Sequence, residues 1–130
     1  MFRKVFEKKE QPLTGAPVVR RLKTYSAESG YVYQYSYQGQ RPHATGTEFV
    51  FTISADRKSW HPLSVIVTRD AMHAWEHSHD RRLSSTEVYA VAKMSLFAAL
   101  DERASPAEMH EAVFVGEAGV TAAAEKLGFE

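Results

Sequence analysis

The sequence predicts an α+β fold: a four-stranded antiparallel meander sheet followed by helices packed on one face. Three observations carry this. Apolar residues alternate with a period of two between positions 18 and 67, then switch to helical spacing. The gaps between the alternating runs are short and rich in Gly, Asp and Ser, as hairpin connections are. The four strand-like runs come before the helices, which argues against a wound parallel sheet, whose strands and helices alternate. The chain's 130 residues, 44% hydrophobic and 25% charged, are one domain's worth and enough for a real core.

Residues 1–17 read as a flexible tail and linker, and residues 18–130 as a single α+β domain. Phe2, Val5 and Phe6 share one helical face among Arg3, Lys4, Lys8 and Lys9, but a turn and a half of helix is marginal in water. Pro12, Gly15 and Pro17 mark the linker. Residues 18–25 form a first strand, Ala27-Glu28-Ser29-Gly30 a turn, and residues 31–38 a second strand. Residues 39–46, with glycine at each end and Pro42 between, read as a loop. Residues 47–54 put Phe49, Phe51 and Ile53 on one face. After the polar turn Asp56-Arg57-Lys58-Ser59, residues 63–67 do the same with Leu63, Val65 and Val67.

Thr68 then caps a helix over 69–80, with Asp70 in its first turn complementing the dipole. Ser84 caps the next, over 85–103, and Glu87 completes a capping box. Between Val88 and Leu100 only Lys93 and Ser95 interrupt its apolar run, so this helix is expected to be central and buried on more than one side. Leu96 and Phe97 should both be largely buried. Ser105-Pro106 opens a short helix. Val113-Phe114-Val115 has the composition of a strand but is too short to assign, and 119–127 form a last helix stopped by Gly128.

Sixteen Lys+Arg balance sixteen Asp+Glu, which removes the simplest electrostatic argument for a nucleic-acid or anionic-membrane partner. With no cysteine, disulfide scaffolds, thiol nucleophiles and Cys-based zinc sites are excluded. No apolar run reaches membrane-spanning length, and a cytoplasmic protein is expected.

Two constellations bear on chemistry. Tyr31, Tyr33, Tyr35 and Tyr37 alternate with Val32, Gln34, Ser36 and Gln38, so all four rings point to one face. Outward, flanked by Arg20, Arg21, Lys23 and Arg41, they would form a stacking platform for single-stranded RNA. Inward, they would continue the row of Phe49, Phe51 and Ile53. The polar set Gln34, Ser36 and Gln38 makes a poor core, which favours the inward reading, with the phenolic hydroxyls near a pocket or rim. The second constellation, His73-Ala74-Trp75-Glu76-His77, matches H-x-x-E-H. His73 and His77, four apart on a helix, can share a metal, and Glu76 can act as base on its bound water. A third ligand is not selected by spacing among Glu87, Asp101 and Glu102, and Trp75 requires the opposite face to be buried. Nucleophilic catalysis has little support: Ser84, Ser85 and Thr86 are capping residues and no Gly-x-Ser-x-Gly elbow exists. Asp101-Glu102-Arg103 reads as a solvated helix end, and His43 and His61 as loop residues.

The expected function is therefore a non-catalytic binding or protein-interaction module with an aromatic-lined cleft between sheet and helix. Tyr31, Tyr33, Tyr35 and Trp75 are its candidate ligand-binding residues. A metal-dependent hydrolase using His73, His77 and Glu76 is the first alternative, an RNA-binding sheet the second. No cofactor is expected. The partners expected are a small ligand or a protein, and a second copy of the chain in a two-fold homodimer that covers the remaining side of the central helix.

Overall fold

The computed structural model describes residues 11–129. The stretch of the expected flexible tail that holds Phe2, Val5 and Phe6 lies outside them. The strands are β1 (Lys23–Ser26), β2 (Val32–His43), β3 (Gly46–Ser54), β4 (His61–Thr68) and β5 (Val113–Val115). The helices are α1 (Arg69–His79), α2 (Ser85–Glu102) and α3 (Glu117–Leu127), with a 3-10 turn at Pro106–His110. The class is α+β as expected, but the sheet is mixed and five-stranded, in the order β1-β2-β3-β4-β5. The first four strands form the antiparallel meander, and β5 adds in parallel to β4, pairing Val65 with Val113 and Val67 with Val115. A parallel neighbour needs a long crossover. Here α1, α2 and the 3-10 turn supply it, so a three-residue strand is recruited across 44 residues of chain.

The meander differs from its expected boundaries at two places. Residues 39–46 are not a loop: β2 runs on to His43 and turns tightly into β3. Gly39 and Pro42 misread as breakers. Gly39 sits at a bulge after Tyr37 with φ +132, where a Cβ would press on the Thr14 carbonyl at 2.8 Å. Pro42 stands two residues past Gln40, whose N–H donates to Thr14 on the open side of the strand, so no ladder bond to β3 is lost. The other difference is the first strand, which pairs only from Lys23, while Val18, Val19 and Leu22 are exposed.

The sheet's inner face is the expected one. Tyr33, Tyr35, Phe49, Phe51, Ile53, Leu63, Val65 and Val67 are buried together against α1 and α2. The other face is less open than its composition suggests: Gln34, Ser36, Val50 and Ile66 are also buried. There Gln34 accepts a hydrogen bond from Thr24 at 3.2 Å, and Glu48 accepts two from Arg41 and one from Ser64.

The caps form as read. The Thr68 hydroxyl accepts from the Ala71 N–H, and the Ser84–Glu87 capping box is complete. In α2, Val88, Val91, Ala92, Leu96, Ala99 and Leu100 are buried, whereas Phe97 is only half-buried. The cover expected from a second copy comes from within the chain: α3 lays Val120, Ala123 and Ala124 into the same core. No helix among the described residues is long and apolar enough to cross a membrane.

Candidate functional site

A cleft of about 560 Å³ opens between the arm before β1, the edge of β2 and the first turn of α2. Its origin is a mismatch in chain length. Thr14 pairs with Gln40 and Lys23 pairs with Tyr35, so nine residue steps of the arm span only five of β2. The surplus bows outward, and Gly15 (φ +73), Pro17, Val19 and Arg21 become a wall facing Tyr35, Tyr37 and Gln40. Ser85, Thr86 and Tyr89 of α2 close the third side.

The floor of the cleft is aromatic. Tyr37 and Tyr89 lie with ring centroids 4.7 Å apart, over Phe49 and Phe51. Tyr35 meets Phe51 and Phe97 edge to face. Such contacts hold rings in place more firmly than burial alone. The hydroxyls are under-used. Tyr37 donates to Gln40 only at 3.5 Å, and the Tyr35 and Tyr89 hydroxyls have no partner among the described residues, although Tyr35 is only 5% exposed. Burial raises all three phenols, Tyr37 to about 12, with the neighbouring Tyr89 adding to the rise at Tyr35 and Tyr37. They are neutral hydrogen-bonding groups at physiological pH. At the edge, the Lys93 ammonium lies 5.9 Å from the Tyr35 ring and adjoins Lys23. Burial foremost, then the second ammonium, lowers its pKa.

The candidate residues read from sequence do not gather in one place. Only Tyr35 lines this cleft. Tyr33 is buried in the core with its hydroxyl unpartnered, and Tyr31 is 41% exposed. Trp75 is buried on another side of the core, stacked on His79 at 4.1 Å and edge-on to Phe129. Tyr37, Tyr89, Lys23, Ser85 and Thr86 were missed as a group. A signal existed: Ser85, Tyr89, Lys93, Phe97 and Asp101 recur every four residues along α2, one face of a helix.

With Tyr33, Tyr35 and Tyr37 turned toward the core, the outward row of four rings does not form, and only Tyr31 is exposed. The histidine pair gains no third ligand among the described residues. His73 and His77 are exposed, and the Glu76 carboxylate accepts from the Leu83 N–H at 2.7 Å, tying down the α1–α2 connection. Among the described residues no group of three or more His, Asp or Glu could hold a metal ion. His43 packs against Phe114 and His61 stacks on His110, at opposite ends of β4.

Asp101 and Arg103 are not a solvated helix end. Asp101 accepts from the Tyr25 hydroxyl at 2.7 Å and the Glu28 N–H at 2.9 Å, and Arg103 donates to the carbonyls of Glu108, Glu111 and Ala112. The first contact clamps the β1–β2 turn that ends the cleft's wall.

Comparison with family models, with curated proteins and with solved structures finds no match to this chain. The reading of the cleft rests on its own chemistry.

Proposed function

We propose that this chain is a non-catalytic binding module and that the cleft between the arm, β2 and α2 holds a small ring-bearing ligand. One observation carries the reading: the hydroxyls of Tyr35 and the half-buried Tyr89 have no protein partner among the described residues and line a cleft with an aromatic floor. Hydroxyls held in place by packed rings offer a ligand hydrogen bonds at fixed positions, which lowers the ordering cost of binding. The volume falls in the range of small-molecule pockets, which pair apolar walls with a few fixed polar groups. Binding rather than catalysis fits phenols whose pKa values are raised, since they give and accept hydrogen bonds but neither ionise nor attack near neutral pH. A ligand-observed NMR screen of neutral and charged ring fragments tests this, with Thr86→Trp filling the cleft from an exposed position. Fragments should bind the wild type and be lost from the variant. Fragments bound equally by both, or by neither, reject the reading.

A second reading, self-association of a cytoplasmic homodimer, is favoured by Phe114 of edge strand β5. This ring is 61% exposed beside a groove floored by Ala98, Ala118 and Ala122. A dimer at micromolar concentration in sedimentation equilibrium that is lost in Phe114→Glu supports it. A monomer at tens of micromolar excludes it.

A further inference from the structure

We propose that the ligand of this cleft is a small organic anion, its carboxylate or phosphate end held by Lys23, Arg21 and the first turn of α2 and its ring end by Tyr37 and Tyr89. The inference rests on the reading of the cleft as a ligand site and adds the ligand's charge. Two cations and no acid stand among the described residues that line the cleft, in a chain whose net charge is zero. Lys93 adjoins Lys23 at its edge, so a third positive charge adds to the field. Two ammonium groups brought together repel, and an anion between or beside them relieves that repulsion.

The helix contributes donors of its own. The first N–H groups of an α-helix have no partner within it. In α2 the Ser84 hydroxyl takes the Glu87 N–H, which leaves those of Ser85 and Thr86, both cleft residues, together with their side-chain hydroxyls. The positive end of the 18-residue helix dipole lies at the same place. Glu87, the nearest acid on the helix, is already engaged by Arg81 and by the Ser84 N–H. Independently of the helix end, the buried Tyr35 side chain lines the same cleft with its hydroxyl unpartnered among the described residues, so its O–H can donate to an oxyanion.

Benzoate, phenyl phosphate and neutral benzyl alcohol, titrated against the full chain by calorimetry and by NMR, test this. An anion should bind about tenfold or more tightly than the alcohol, and weaken with added salt. The tighter of benzoate and phenyl phosphate assigns the headgroup. Arg21→Gln/Lys23→Gln, both exposed positions, should lose about tenfold for the anion and far less for the alcohol, closing the gap between them. Benzyl alcohol binding as tightly as the anions, or anion binding indifferent to the double variant, overturns the inference while leaving a small-molecule cleft in place. If no probe of either charge shifts the cleft resonances in a protein whose melting shows it folded, the underlying reading falls too.

Discussion

Asp101 shows how one carboxylate can fix a distant turn. It sits near the C-terminal end of α2, where the dipole disfavours an acid, and is held there by two charge-assisted hydrogen bonds from the β1–β2 hairpin. The Tyr25 ring that carries one of them stacks on Phe97 with centroids 4.3 Å apart and planes 2° from parallel. Asp101→Ala should cost about 1.5–3 kcal/mol by denaturant unfolding, because it strips two donors of a charged partner. A loss below half a kcal/mol would mean that water replaces the carboxylate without penalty. Gly46 is constrained by space: a Cβ there would lie 2.1 Å from the Val67 carbonyl oxygen, a backbone atom that cannot step aside. Gly46→Ala should therefore destabilise by about 2 kcal/mol or more and disturb the β2–β3 turn. A melting temperature within a degree of wild type contradicts this.

At the scale of elements, α2 does two jobs on two faces. Leu96 and Leu100 fill the core, while the row Ser85, Tyr89, Lys93, Phe97 and Asp101 turns toward the edge of the sheet. Leu96→Ala should cost about 3–5 kcal/mol, whereas Phe97→Ala, half-buried but stacked on Tyr25 and Tyr35, should cost about 2–3 and also loosen the hairpin. Equal losses by thermal melting would contradict the division. Much of this was legible. Thr68 and the Ser84–Glu87 box announce their helices, and Phe49, Phe51 and Ile53 announce the inner face, because caps and alternation are local. The misses have non-local causes. The pairing of β5 depends on a partner 48 residues away, and Pro42 is tolerated only because its nitrogen faces an open edge. The cleft depends on the arm being longer than the strand it spans, which no local pattern encodes.

For the whole molecule, the concentration of tyrosines around one edge predicts alkaline sensitivity. Tyr25 and Tyr37 are raised from 10.0 to about 12, Tyr25 by burial and then by the Asp101 carboxylate, Tyr37 by burial and then by Tyr89. Tyr33, Tyr35 and Tyr89 are raised too, chiefly by burial. A raised phenol is stabilised neutral in the fold, while the unfolded chain ionises from about pH 10. The stability these groups lend is therefore fully present below pH 10 and lost as pH rises toward about 12. The melting temperature should fall steeply over that interval, and less steeply in Tyr25→Phe. An unchanged melting temperature up to pH 12 would contradict the burial of these rings.

The central claim, that the cleft beside Tyr35, Tyr37 and Tyr89 is where this protein binds its ligand, is tested most directly by ring-labelled tyrosine NMR during titration with phenyl phosphate. The rings of Tyr35, Tyr37 and Tyr89 should shift together with one saturating curve, while Tyr33, buried away from the cleft, stays in place. Tyrosine spectra unmoved at saturating probe, or shifts confined to tyrosines outside the cleft, would contradict it.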